Sequence, residues 1–432
     1  MKINVHWFRR DLRLHDHRAL AKATNDGAHP VLPLFIFDTD ILDVLENKKD
    51  QRVHFIHRTL EQMREELHVL GSSMLVRYGK PVDIWKSLVE EYDIASVSVV
   101  RDYEPYAQER DKAVYDFLQS KNISFTGCKD QVIFEKSEIT KNDGGYYSVF
   151  TPYSKSWKAA LTNDHYAEAK VNNEGFFKTK PLSMPTLKDM GFEETDERLF
   201  PTKNVSDEIL AHYHEKRDIP SVKGTSRMSV HLRFGTVSIR ELVRRAKSTN
   251  ETYLNELIWR DFYQMTLYHN PQSPHNALKS KYDNIKWEIN EEHFTAWCEG
   301  KTGYPLVDAG MRELNTTGYM HNRIRMLTAS FLTKHLLIDW RWGERYFAEK
   351  LLDFDLAANV GGWQWAAGCG NDAAPYFRIF NPYTQQEKFD PNHTYVKRYV
   401  KEFNTNEYVD PIVDHKWARE RALERYKTGI NG

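Results

Sequence analysis

The sequence predicts a Rossmann-like α/β domain followed, after a long connector, by an all-helical domain. Three observations carry the prediction. Short apolar runs alternate with longer polar-faced segments as far as about Glu135, the alternation then stops, and from about Asp207 apolar residues recur at helical spacing. Strands that alternate with helices imply right-handed crossovers and a doubly wound parallel sheet. At 432 residues the chain is also long enough for two cores.

The first domain spans residues 1–135. INVHWF, VLPLFIFD, SMLVRYG, SVSVVRDYE and ISFTGCKDQVIFE read as its strands, and residues 51–70 as an intervening helix. Neither G-x-G-x-x-G nor G-x-x-x-x-G-K-S/T follows the first strand, so the dinucleotide and P-loop fingerprints are missing. Residues 136–205 carry Gly144, Gly145, Pro181 and Pro185 and read as a connector running over a surface, with helical capacity at 153–161. The third part, 206–432, contains ELVRRAKS, YLNELIWRDFYQMTLYH, PLVDAGMRELN, MHNRIRMLTASFLTKHLLIDW and GERYFAEKLLDF. These read as helices separated by turns at Gly or Asn-Pro.

Charge is balanced, with 60 Lys and Arg against 61 Asp and Glu, which neither demands nor excludes a polyanionic partner; such a partner needs only a local basic patch. Cys128, Cys298 and Cys369 sit in no metal-ligand spacing and fit a reducing compartment and a metal-free protein. No apolar run reaches membrane-spanning length, and the start MKINVHWFRRDLRL is charged where a signal peptide is apolar. The expected location is the cytoplasm, at the nucleoid, or the nucleus in a eukaryote. Aromatics reach 13%, including 11 Trp and 23 Tyr, which suggests stacking or redox work or else a large core.

Several clusters carry chemistry. Residues 353–388 hold two acids, an Asn-Val-Gly-Gly turn and two tryptophans at i and i+2, poor core material that suits a flat, polar-edged ligand. Glu256, Trp259, Arg260 and Tyr263 share one face of a helix, the pattern of a pocket wall or of a solvated face that happens to hold a Trp. In MHNRIRM, Asn322 reads as a mid-helix residue that needs a side-chain partner, with Met326 at i+4 and Arg325 one turn on. GTSRMS at 224–229 opens a helical run and serves either as a phosphate-binding helix start or as an N-cap. GCGNDA at 368–373 matches a dinucleotide fingerprint only formally, since no strand precedes it. His15, His17, His212 and His214 lack further ligands at metal spacing and read as solvated or hydrogen-bonded. Trp287, Trp340 and Trp363, in separate helical segments, each read as core.

GTSRMS, ELIWRDFY, MHNRIRM, LLIDWRWGERYF and DFDLAANVGGWQWAA in this order, with HWFRRDLRLHDHRAL at the start and QQEKFDP near the end, resemble the photolyase/cryptochrome family of flavoproteins over nearly the whole chain. The resemblance is greatest to class I cyclobutane pyrimidine dimer photolyases. It implies an N-terminal antenna domain and a C-terminal helical domain holding FAD in a folded-back conformation. Tyr213, Tyr253 and the run Thr225, Ser226, Arg227, Met228 and Ser229 would contact the FAD, the run at its phosphates. Asp353, Phe354 and Asp355 would meet the flavin or its ribityl edge, Arg325 would pair with Asp353, and Asn359 would face the flavin N5. Trp363, Trp340 and Trp287 would form an electron wire from the flavin to the surface.

By the same resemblance a flipped-out lesion would be held by Glu256, Asn322, Met326, Trp259 and Trp365, with protonated Glu256 bonding the base edge. Arg217, Arg260, Arg323, Arg378, Gln385 and Lys388 would touch DNA, and Lys397, Arg398 and Lys401 are either part of that rim or solvated. A second, antenna chromophore is expected in the first domain. Residues 103–109 lack the Asn-Glu pair of folate-binding members, which leaves a deazaflavin, another flavin or none. The implied function is blue-light repair of pyrimidine dimers in DNA by a monomer with no membrane partner: excited, reduced FAD lends the dimer an electron, the ring splits, and the electron returns. The alternative is a cryptochrome-type light receptor with a vestigial pocket. The complete lesion set argues against it, as does Asn359 where plant-type cryptochromes put an Asp. Members specific for a different pyrimidine photoproduct place a histidine pair in the helix that here reads HNRIRM. A light-independent flavin oxidoreductase would need a nicotinamide site, which the sequence does not offer.

Overall fold

The computed structural model describes residues 1–431, which divide into two compact units. The α/β unit comprises Met1–Glu135, Ala160–Asn204 and Met228–Ser248, and the helical unit comprises Lys136–Ala159, Val205–Arg227 and the described residues from Thr249 onward.

Five parallel strands form the α/β unit's sheet: β1 (Ile3–Phe8), β2 (Val31–Asp38), β3 (Leu75–Gly79), β4 (Ile94–Val100) and β5 (Ser124–Cys128), in the order β3-β2-β1-β4-β5. Every residue of β1 and β2 is buried, as central strands covered on both faces require, and this is why they read as unbroken apolar runs. Helix α1 (Gln51–Val69) begins at Asp50, whose carboxylate accepts from the Arg52 and Val53 amides. The strand order reverses between β1 and β4, the place where open α/β sheets take ligands. Here the chain's own charges fill that end: Arg9 pairs with Asp111 at 2.6 Å, and Arg10 with Asp102 at 3.2 Å and Glu104 at 2.7 Å.

His6 in β1 and His17 beyond it place their Nε2 atoms 3.1 and 2.8 Å from the same Asp11 oxygen. His17 therefore has ligand-type neighbours that its sequence spacing did not show. All three side chains are spoken for, because His6 Nδ1 meets Ser98 Oγ and His17 Nδ1 accepts from the Leu20 amide.

The expected connector, residues 136–205, is shared out between the two units. Residues after Ala160 extend the α/β unit through backbone bonds, Phe177 N–H to Val31 O and Thr179 N–H to Gly71 O, and Phe177 and Leu182 pack against its core. Residues before it belong to the helical unit: α2 (Phe150–Ala160) sets Trp157 Nε1–H on Asp261 at 2.9 Å. A surface linker would make neither set of bonds.

In the helical unit, α3 (Glu251–His269) starts at an Asn250 cap. Then come α4 (Glu291–Glu299), α5 (Asn322–Ser330), α6 (Trp340–Lys350) and α7 (Leu356–Ala367). One apolar cluster joins α4, α5, α6 and α7, with Trp297, Trp340 and Trp363 inside and Trp287 partly buried against it. Asn322 is the first residue of α5 and not a mid-helix residue, because His321 accepts from the Arg323 amide as the cap. No helix among the described residues is long and apolar enough to cross a membrane.

Candidate functional site

A cavity of about 340 Å³ in the helical unit is walled by four helices and the segment that leads into α7. The helical face foreseen on α3 supplies Glu256, Trp259 and Tyr263; α5 supplies Asn322, Arg325 and Met326; α6 supplies Phe347; and α7 supplies Asn359, Gly362, Trp363 and Trp365. Asp353, Asp355 and Arg217 complete the wall that matters for chemistry. The five residues expected to hold a lesion and four of those expected at a flavin therefore face one space.

Local folding explains why. The Asp355 side chain caps α7 through the Ala358 amide at 3.1 Å and takes both Gln264 contacts at 3.1 Å, so the first turn of α7 is tied to α3. One turn on, Asn359 Nδ2 donates to Glu344 O at 3.0 Å and Oε1 at 2.9 Å, which leaves the amide oxygen as the group available to accept. Two glycines follow. A Cβ on Gly361 would lie 2.3 Å from the Tyr263 ring, so α7 approaches α3 too closely for a side chain, whereas a Cβ on Gly362 would meet nothing within 4 Å. Gly362 keeps the cavity open.

The charges on the wall are paired. Arg325 meets Asp353 at 2.9 and 3.0 Å and gives its Nε–H to Met320 O at 2.7 Å. Glu256 pairs with Arg217. Burial pushes the Glu256 carboxyl above its ordinary value, and Arg217 opposes that shift without cancelling it. Asn322 is exposed, its amide 3.8 Å from Met326 Sδ. Trp259 stacks on Phe150 at 3.8 Å and 3°, so one face of the indole is already covered.

Next to this wall lies a second cluster. Tyr253 O–H reaches Ser226 Oγ at 3.2 Å, Tyr213 packs edge-on to Tyr253 at 5.1 Å, and Thr225 Oγ1 lies 3.4 Å from the Tyr319 hydroxyl. Tyr319 links the two regions, with Arg227 at 4.5 Å and Arg325 at 5.6 Å from its ring. Met228 and Ser229 belong to the α/β unit, Met228 with its side chain buried, and the helix that Ser229 begins is only six residues long. Phe354 packs against the helical core.

Trp287 and Trp340 lie outside the cavity wall, as do Arg260, Arg323, Arg378, Gln385 and Lys388. Arg323 is held by Asp218 at 2.6 Å over the Phe389 ring, while Arg378 and Lys388 are exposed. Phe150, Glu344 and Tyr319 were missed. Phe150 sat in the presumed connector, and no local pattern marks a residue whose partner is more than a hundred positions away.

Residues 4–172 match the family model described as DNA photolyase, and residues 253–406 match the one described as FAD binding domain of DNA photolyase. The chain is 36% identical to the deoxyribodipyrimidine photo-lyase of Halobacterium salinarum, over 98% of this chain and 99% of that protein. The fold matches the crystal structure of a bacterial class III photolyase from Agrobacterium tumefaciens with a TM-score of 0.87 and 31% identity, over 100% of this chain and 98% of that one. It also matches an archaeal photolyase from Sulfolobus tokodaii, solved with two FAD molecules, with a TM-score of 0.84 and 33% identity, over 99% and 100% of the two chains.

Proposed function

The chain belongs to the DNA photolyase family, and from that premise we propose that it repairs cyclobutane pyrimidine dimers in DNA under blue light, working as a single chain. The observation that carries the reading is that Glu256, Asn322, Met326, Trp259 and Trp365 share one cavity wall with the Arg325–Asp353 pair, Asn359 and Trp363.

FAD is the cofactor, and the site fits it. Space is kept open over Gly362, and Asn359 presents an amide oxygen to an N–H donor. Asp353, Asp355 and Arg325 offer acceptors and a fixed cation, and Tyr213, Tyr253, Thr225, Ser226 and Arg227 offer hydroxyls and a guanidinium beyond them. When bound, FAD supplies a light-driven donor of one electron to the lesion.

The chain's residues do the rest. A dimer inside a duplex is out of reach, so it must leave the stack, and damaged bases do so at lower cost. Trp259, backed by Phe150, and Trp365 give it rings to lie against, while Asn322 stands exposed at the mouth to bond a base edge. Glu256 is the group that changes state. A DNA phosphate that draws Arg217 away removes the cation paired with this carboxyl, and burial then favours its protonated form, which can donate to the dimer carbonyl as negative charge develops there. Arg260, Arg323, Arg378, Gln385 and Lys388 form the phosphate-contacting rim.

Loss of dimers from an oligonucleotide, measured with chemically reduced protein in blue light and in the dark, tests this. Light-dependent loss is expected, and intact dimers in the lit sample would return the light-receptor reading. Glu256→Ala should slow repair about 10- to 100-fold, the worth of a hydrogen bond to a charged group, while flavin absorbance shows FAD retained.

A further inference from the structure

We propose that Trp297 and Tyr346 form a second route by which electrons reach Trp363, one that ends at a surface tyrosine. It rests on the flavin site proposed above. Trp363 lines the cavity on one side and on the other meets Trp297, ring centroids 6.0 Å apart at 70°. Trp297 meets Tyr346 at 5.8 Å and 62°. Aromatic pairs at such separations touch edge to face, so no saturated gap interrupts the path from the cavity wall to Tyr346.

Neighbouring rings define this path by exclusion. Phe347 lies 5.0 Å from Trp363 and 5.9 Å from Trp297, nearly parallel to the latter, and fixes the two indoles against each other. Phe294 leads from Trp297 to Trp342, at 5.8 and 5.1 Å, but it interposes a benzene ring, far harder to oxidise than an indole or a phenol. Tyr346 is the first oxidisable ring after Trp297.

Electrostatics favour the step as well. Trp297 is fully buried, and its indole N–H donates to Thr328 O at 3.1 Å, so a carbonyl dipole faces any positive charge the ring acquires. Trp340, on the route expected from the sequence, instead carries the Arg341 guanidinium 4.8 Å from its ring, a charge shared with Asp339 and Asp283. Tyr346 is half-buried and has its own proton exit, since its hydroxyl donates to the exposed Asn315 Oδ1 at 2.6 Å and lies 3.2 Å from Cys298 O. Lys350 Nζ, 5.5 Å from the same ring, disfavours a cationic tyrosine and so couples electron loss to proton loss.

The step balances. Trp363, once it has given one electron to light-excited, oxidised FAD in the proposed flavin site, takes one from Trp297, and Trp297 takes one from Tyr346. The Tyr346 O–H bond breaks, its proton passes to water at Asn315, and a neutral phenoxyl remains. A thiol in solution then returns a hydrogen atom, and two thiols oxidised in this way pair as a disulfide.

The test uses the full-length, FAD-loaded protein carrying Trp287→Phe, illuminated with blue light in the presence of dithiothreitol, frozen, and read by electron paramagnetic resonance. A tyrosyl spectrum is expected, narrowed by ring-deuterated tyrosine and lost in both Tyr346→Phe and Trp297→Phe. Tyr346→Phe changes only a hydroxyl on a half-buried ring, so it decides the matter even if Trp297→Phe misfolds. A tyrosyl signal that survives Tyr346→Phe, or none at all in Trp287→Phe protein with FAD bound, overturns the route. Dimer repair by chemically reduced wild-type protein reports the repair reading separately.

Discussion

Asp130 in the α/β unit is fully buried and Glu256 in the helical unit only partly so, and both carboxylates are set against arginine, yet burial wins at Glu256 and loses at Asp130. Burial alone would raise Asp130, but Arg13, His17 and Arg240 outweigh it and hold the carboxyl far below its ordinary value, helped by the Arg18 amide. Arg240 in turn reaches Asp16 at 2.8 Å, and Asp16 accepts from the Ala169 amide at 2.9 Å, so the cluster closes on itself. Glu256 has Arg217 against it and Asp218 nearby, and its net shift is upward. A closed network fixes backbone segments to one another, whereas a single pair at a cavity edge is poised to change partners.

The widest separation should come from truncating the arginine on each side. Side-chain exposure is 1% for both Arg240 and Asp130, against 31% and 33% for Arg217 and Glu256. Arg240→Ala takes a shared partner from two buried carboxylates, leaving Asp130 with Arg13 and Asp16 with Arg244, and should cost about 3 kcal/mol of stability, read as a lower urea midpoint. Arg217→Ala should cost less than about 1 kcal/mol. Equal losses would break the comparison.

Acid should then move the two sites in opposite directions. Asp130, with its folded value depressed, contributes stability that is present above the ordinary carboxylate range and is lost as pH falls towards that depressed value. Glu256, with its folded value raised, is a liability above that value, and the liability is relieved as pH falls. If protonated Glu256 is the competent form, repair at sub-saturating DNA, which reports the free protein with its Arg217–Glu256 pair intact, should decline as pH rises through its titration. In Arg217→Ala that decline should shift to higher pH, because the partner that lowers it is gone. A repair profile with the same midpoint in both proteins would remove Glu256 from the proton-donating role.

The same contrast explains what could be read from the sequence. β1 and β2 were legible because burial on both faces writes a continuous apolar run, and the α3 face because Glu256, Trp259 and Tyr263 follow one helical repeat. The pairing of Arg217 with Glu256 spans 39 residues and that of Arg13 with Asp130 spans 117, and nothing in either local pattern names its partner. Asn322 was misplaced within α5 because the cap is His321, a residue outside the usual capping set. Trp297 read as ordinary core, and only its contacts with Trp363 and Tyr346 give it another use.

The smallest expected effect lies at the phosphate rim and extends the comparison to DNA. Neutralising a phosphate with a solvated lysine releases condensed counterions, so removing one such contact lowers the slope of log affinity against log salt by about one. Lys388 is exposed, with its ammonium 5.2 Å from the Phe389 ring, and Lys388→Ala should show that full change with a uniform loss of affinity across sequences. Arg323 packs on the same ring from 4.5 Å but is already paired with Asp218 at 2.6 Å. It must surrender that carboxylate to meet a phosphate, so less net charge is neutralised and Arg323→Ala should lower the slope by less than Lys388→Ala does. Titrating dimer-containing DNA at several salt concentrations separates the two. If the paired arginine gave the larger change, prior pairing would not be what decides which charges on this chain are ready to change partners.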